Sequence, residues 1–373
     1  MKKVLFATTA LVATAGIASA DVAISGYAEM GVTGGSGTTV TQFLQDVDVR
    51  FTLSGETDSG ITFGAGVDLD ENAGGVGRDD AGATVFISGD FGTLTLGDTD
   101  GGYDAGMQEV NIGSPGSIAD NETGHAGYSG NNGLDGLYDG QVLSYSYSVS
   151  GFTITGSVEM DDDGGAAGTA TATFAAGGVS LPFNTPDYAN GGADRISGDG
   201  LTGDAIYGIG GAYAGSFGGG SYTVGAGYQT VNDVDAINPG AQGYTITGVS
   251  ATVALDMGLS AGINYSMVDV SGMGAAALSF SGTHTAIGAS YAFDDITVHA
   301  NYGVWDYDVT SYVADTSGWA LAAGYNLGGG LNALLGYQSS TVDAVNATAL
   351  GAGAVAATLG TTSTWSLGLA MSF

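Results

Sequence analysis

Thirty-eight Asp and Glu residues stand against five Lys and Arg in this 373-residue chain, which has three His and no Cys. Any chemistry must therefore come from carboxylates, hydroxyls, amides and three imidazoles. Thiolate nucleophiles, thiolate metal sites and disulfides are excluded. Asp68-x-Asp70-x-Asn72 opens like a calcium loop, with oxygen ligands at alternate positions. The glycine such a loop needs is displaced to Gly74, and the twelfth position is Asp79 instead of Glu. Helices cannot flank it, so an EF-hand is excluded. A looser Ca²⁺ site from Asp70, Glu71, Asp79 and Asp80, or from Asp161–Asp163, is one reading of these acidic loops; a solvated acidic loop is the other. No other cofactor is required. Gly351-x-Gly353-x-x-Ala356 matches a dinucleotide fingerprint only in outline, without a βαβ context. His125, His284 and His299 fall in different elements and no G-x-S-x-G elbow occurs, so no hydrolase is expected. Nucleic acid is excluded as a partner, because phosphate binding needs a basic footprint.

The elements that position these residues begin after a targeting segment. Lys2 and Lys3 precede an apolar stretch from Val4 to Ile17, and Ala18-Ser19-Ala20 has the form of a cleavage site. Residues 1–20 are expected to be a cleaved secretory signal, and 21–373 a single domain. The apolar stretch is too short for a membrane anchor. Removing it leaves Arg50, Arg78 and Arg195 as the only fixed positive side chains.

The chain contains 69 Gly, and Gly costs a helix roughly 1 kcal/mol relative to Ala. Disorder is equally disfavoured, since 44% of residues are hydrophobic, with 19 Tyr and 13 Phe. The hydrophobic period is two. Val22, Ile24, Gly26, Ala28, Met30 and Val32 oppose Ala23, Ser25, Tyr27, Glu29 and Thr33. Val47, Val49, Phe51 and Leu53 oppose Asp46, Asp48, Arg50 and Thr52. The strands are about ten residues long, the length that crosses a bilayer at a tilt. Their polar face carries Thr, Ser, Gly, Asn and carboxylates, not the Lys-rich mixture of a sandwich surface. That suits a wet lumen with the apolar face toward lipid, and closure leaves no sheet edge. The expected fold is all-β, a transmembrane antiparallel β-barrel.

Sixteen strands are predicted, over 22–33, 43–54, 60–69, 82–89, 92–98, 141–149, 152–160, 204–215, 221–231, 243–255, 259–269, 283–293, 296–306, 317–327, 331–341 and 362–373. Eighteen is the alternative, with 169–175 as a further strand. Seven short turns alternate with eight long loops, including 99–140 and 270–282. Pro115, Pro182, Pro186 and Pro239 all fall in long loops, where no ladder donor is lost.

Trp365, Leu367, Leu369, Met371 and Phe373 alternate to a terminal Phe. This resembles the signal read by the outer-membrane barrel assembly machinery. Asp21–Val32, Arg50–Phe63, Val85–Asp98, Gln141–Tyr147 and the last strand together resemble the sixteen-stranded trimeric general porins, especially the alphaproteobacterial type. The resemblance implies a homotrimer among outer-membrane lipid and lipopolysaccharide, passing small hydrophilic solutes. It also implies that the third long loop, about 99–140, folds into the lumen and narrows it. That loop carries Asp100, Asp104, Glu109, Asp120, Glu122, Asp135 and Asp139 and no Lys or Arg. Asp104 and Glu109 are chosen as constriction residues for their early position in it.

General porins place a basic cluster on the wall opposite the loop, and this sequence departs from them. Only Arg50 lies on a wall strand, among Glu29, Asp46, Asp48 and Asp68. It stands in the constriction field, in an ion pair with Asp48 or a carboxylate of a neighbouring strand, or in both at once. The charge balance predicts cation preference. Small residues expected on the outward faces (Gly26, Ala28, Gly156, Gly248) suit subunit packing. Other readings are a substrate-specific channel on the same barrel and a secreted calcium-binding β-roll; the β-roll lacks its tandem G-G-x-G-x-D repeats.

Overall fold

The computed structural model describes residues 21–36, 40–70, 82–129, 131, 133–135, 141–160, 203–233, 243–273, 278–308, 314–343 and 360–373. The expected signal over 1–20, the segment 169–175, Asp161–Asp163, Glu71, Arg78, Asp79, Asp80, Asp139 and Arg195 lie outside the described residues, as does the side chain of Asp70.

Alternation at period two produces an unbroken series of strands. The first five are β1 (Asp21–Gly35), β2 (Gln42–Glu56), β3 (Thr62–Asp70), β4 (Ala83–Gly89) and β5 (Gly92–Gly97). A long connection follows, carrying the short helix α1 (Gly102–Gly106). Then come β6 (Val142–Val149), β7 (Phe152–Glu159), β8 (Ile206–Phe217), β9 (Gly220–Val231), β10 (Gly243–Leu255) and β11 (Leu259–Met273). The series ends with β12 (Leu278–Phe293), β13 (Ile296–Tyr307), β14 (Thr316–Gly328), β15 (Leu331–Val342) and β16 (Gly360–Ser372). Each pairs antiparallel with its neighbours in sequence, and β1 pairs with β16, so the sheet closes into a barrel. All sixteen expected spans fall on these strands, and a closed ring of sixteen has no place for a further pair.

The two faces of the wall invert the pattern of a soluble protein. Val22, Ile24, Val85, Ile154, Val249 and Leu367 are exposed on the outside. Ser144, Thr155, Asn264, His284, Asn301 and Ser366 are buried on the inside. Hydrocarbon is the solvent for the first set, which is why apolar residues point away from the centre.

Three expectations are corrected. The segment 270–282 is mostly strand: β11 and β12 continue past a bulge between Val270 and Met273, where Gly272 takes φ +72°. Val270 pairs with Phe280 across this extension, and both are buried, so apolar contact carries the ladder beyond the expected loop boundary. The lumen is also not uniformly polar. Val142, Ile206, Val231, Tyr244, Ile246, Val268, Phe280, Trp305 and Tyr307 are buried and face inward. They form an apolar inner band on β6–β13, in which the Trp305 ring lies 4.7 Å from that of His284, tilted by 36°, and nearly parallel to Tyr307. Burying such side chains contributes roughly 1.5–3 kcal/mol each, so part of the lumen is a packed core. Finally, Gly248 faces inward, against Met107 and Tyr103, and is not part of any outer contact surface.

Closure ends at Phe373. Its N–H donates to Gly26 O at 2.9 Å, and Gly26 N–H donates to Phe373 O at 3.4 Å. Deleting Phe373 removes both bonds and the terminal aromatic ring together. The expected outcome is a sharp loss of heat-resistant folded protein in outer-membrane fractions; unchanged amounts would count against Phe373 as an assembly determinant.

Candidate functional site

The described part of the connection from β5 to β6 lies inside the barrel, as expected for the third long loop. Asp98 N–H donates to Ala83 O as the chain leaves β5, and α1 then packs on β7, β8 and β9. Gly102 N–H donates to Ser157 Oγ at 2.7 Å, and Gln108 N–H to Ser250 Oγ at 2.7 Å. Tyr103 shares a hydrogen bond with Ser266 at 2.8 Å. Farther on, Ile118 packs with Leu334, Ala370 and Leu44. The chain runs back past β13 to Leu134, which is fully buried.

Glycines on the wall make this approach feasible. A Cβ on Gly210, Gly225, Gly288 or Gly303 would stand less than 3.0 Å from a loop carbonyl, those of Gly102, Gly106, Val110 and Gly127 respectively. At Gly318, Gly336 and Gly368 the obstructed atoms belong to His125, Asn121 and Ile118. The role of these glycines was not read from the sequence. The signal was an excess of Gly on the inward face of β8–β16.

Three amide side chains then hold the loop. Gln229 accepts from Leu134 N–H at 2.6 Å and donates to Asp135. Asn301 accepts from His125 Nε2 at 2.8 Å and donates to Glu122 O at 2.6 Å. Asn121, on the loop, donates to Thr364 Oγ1 at 2.9 Å and accepts from Ser366 Oγ at 2.6 Å. His284 Nε2 adds a bond to Gly127 O at 2.9 Å. Sequence reasoning missed all three amides, because nothing in their spacing marks them.

The three histidines, remote in sequence, all serve the contact between loop and wall, at separate points. His299 Nδ1 lies 3.0 Å from Ser290 Oγ, an arrangement that superficially suggests a nucleophile and its base. The Ser290 hydroxyl instead donates to Ile112 O, so the imidazole N–H must donate to Ser290. Both side chains are buried. The pair is a structural pin.

The charged residues fall into two groups. Glu29, Asp46, Asp48, Arg50 and Asp68 share the inner face of β1–β3, with Glu29 opposite Asp46 and Arg50 opposite Asp68. Tyr27 donates to Glu29 at 2.6 Å, and Arg50 pairs with Asp68 at 2.8 Å. Asp120, Asp46 and Glu122 stand within electrostatic reach of Glu29. Ser25, Arg50 and Thr52 are exposed, while the inner residues of β10–β13 are covered by the loop. The open cross-section is therefore eccentric and runs against β1–β3.

The second group is on the loop. Glu109 accepts from Tyr128 at 2.8 Å and Glu122 from Ser117 at 2.6 Å. Burial raises both above the usual carboxylate range, against the pull of those hydrogen bonds. Asp104 is held well above its ordinary value by burial and by the charges of Asp100, Asp135 and Glu109. Burial pushes Asp135 to about 7, although Gly101 and Gln229 both donate to it. Asp100 and Asp120 are exposed carboxylates of this stretch. Among the described residues no group of three or more His, Asp or Glu is arranged to hold a metal ion.

A family profile described as Gram-negative porin matches residues 7–345. A porin from Rhodobacter capsulatus is 28% identical over 331 residues, covering 83% of this chain and 91% of its own. A solved porin structure refined at 1.8 Å superposes with a TM-score of 0.62 at 21% identity, over 94% of this chain and 100% of that one. An anion-selective porin from Comamonas acidovorans gives 0.60 at 14% identity, over 95% and 100%. At those identities the solved structures speak to the fold.

Two outcomes follow for the docked loop. Gly303→Val overpacks the contact with Gly127, at a cost of about 1–3 kcal/mol. Hydrogen exchange at 122–128 should accelerate roughly 5- to 150-fold, with barrel β-content retained. Asp135 binds its proton more tightly in the docked loop than in water. Its contribution to docking is therefore full below pH about 4 and declines as pH rises through about 7. Protection at 101–107, corrected for intrinsic rates, should fall between pH 5 and 8, and Asp135→Asn should flatten that profile.

Proposed function

This chain belongs to the Gram-negative porin family and forms an outer-membrane channel; we propose that the channel passes small hydrophilic solutes and ions by passive diffusion and prefers cations. The observation that carries this is the charge along the open cross-section. Among the described residues Arg50 is the sole Lys or Arg, and it shares the passage with Glu29, Asp46, Asp48, Asp68 and Asp120. Carboxylates lining a narrow aqueous path concentrate cations and repel anions. Asp46, Asp48 and Asp120 carry most of this effect in our reading. Asp104, Glu109 and Glu122 contribute less, because burial favours their neutral forms.

The supporting assembly is proposed with it. Residues 1–20 are removed as a secretory signal. Trp365, Leu367, Leu369, Met371 and Phe373 share the outward face of β16, where Trp365, Leu367 and Phe373 are exposed to be read by the assembly machinery. The mature barrel is a homotrimer in contact with outer-membrane lipid and lipopolysaccharide, with Gly26, Ala28 and Gly156 available for close subunit packing.

A tenfold KCl gradient across a planar bilayer tests the preference. A reversal potential of cation sign is expected, shrinking as total salt rises, because the Debye length falls from about 10 Å at 0.1 M to about 3 Å at 1 M. Asp46→Asn with Asp120→Asn should lower it more than Asp104→Asn with Glu109→Gln. A zero or anion-sign potential in dilute salt would overturn the reading.

A further inference from the structure

We propose that Asp68 is a specificity-determining positioning residue: with the bare backbone at Gly66, it holds the Arg50 guanidinium flat against the β2–β3 wall, so that this cation does not act as an anion site in the passage. The inference deepens the reading of a cation-preferring channel and rests on it.

The geometry assigns each part. Arg50 and Asp68 are directly opposite in the β2–β3 register, and Nη1 lies 2.8 Å from Oδ2. The second guanidinium nitrogen, Nη2, lies only 3.1 Å from where a Gly66 Cβ would stand. Gly66 therefore leaves the seat into which the planar group folds. Thr84 Oγ1 lies 3.0 Å from the same point and bounds the seat on the β4 side. Asp98 stands within electrostatic reach of Asp68 and Asp100, so carboxylates also border the seat where the loop begins.

The pair is open to solvent, with the Arg50 side chain 52% and the Asp68 side chain 35% exposed. That exposure makes the arrangement functional in consequence, since passing ions meet both groups. Screening in water weakens an exposed pair, so the seat and the register matter as much as the Coulomb attraction. An arginine released from the wall would present five N–H donors to a multivalent anion.

The test is block of single channels in planar bilayers by inorganic pyrophosphate. Wild-type channels should show no block at millimolar pyrophosphate. Asp68→Asn should show voltage-dependent block, Asp68→Glu should restore wild-type behaviour, and Asp68→Asn with Arg50→Gln should abolish the block. Gly66→Leu, which fills the seat while keeping both charges, should produce block without changing net charge. Folding of each variant is checked by heat-modifiable mobility. Absence of block in folded Asp68→Asn, or block that persists without Arg50, overturns the proposal. Failure of the underlying preference is read separately, in the wild-type reversal potential.

Discussion

Hydrocarbon offers no partner to an unpaired backbone N–H or C=O, so a strand crossing the membrane must find both neighbours within the protein. The ladder between β1 and β16 meets that demand for the last two edges, from Tyr27 opposite Ser372 to Gly35 opposite Thr364. The loop depends on the same seam. Gly31 and Gly368 face each other across it, and a Cβ on either would strike Ile118 of the loop. Ile118 thus rests on the closure itself, with Leu334, Ala370 and Leu44 around it. An open sheet would lose this seat as well as its hydrogen bonds, which ties the shape of the passage to the closing of the wall.

The barrel was legible in the sequence because period-two alternation records which solvent each residue meets, and water and hydrocarbon differ enough to mark every strand. The inward direction of Glu29, Asp46, Asp48 and Arg50 followed from that period alone. Family resemblance supplied the inward course of the loop, which composition did not show. What stayed hidden was contact between distant segments. Nothing local marks Asn301 as the partner of both Glu122 and His125, or Gln229 as the partner of Leu134 and Asp135. The apolar inner band was hidden for a related reason. Where the loop covers the wall, inward residues meet protein instead of water, and Trp305 and Tyr307 obey the rules of a core. The partner of Arg50 was narrowed by the shared wall face to a few carboxylates, and the structure selects Asp68.

The electrostatics of the loop differ from its net charge. Burial holds Asp104, Glu109, Glu122 and Asp135 above the usual carboxylate range, and no described basic side chain relieves them. Between Glu122 and Asp135 burial lowers His125 to about 4, which favours the neutral imidazole. Acid therefore relieves the carboxylates of the docked loop and strains its imidazole. The groups proposed to set the field in the passage are a separate population, the less buried carboxylates of β1–β3 and Asp120. Separating anchoring charges from lining charges explains how a chain so acidic keeps a loop fixed inside its own barrel.

The glycine seats on β8–β16 also bear on how such a channel can diverge. The loop is fitted through backbone atoms, Ile118 and a few amides, and the wall tolerates almost no added side chain at the points of contact. Mutational freedom thus keeps its usual distribution, with a constrained scaffold and a permissive loop edge. A lineage can exchange the charge at Asp120, or at the facing positions of β2, without refitting the loop. Selectivity on this architecture can drift by single substitutions while the barrel and its constriction stay the same, so descendants of one fold can come to favour ions of either sign.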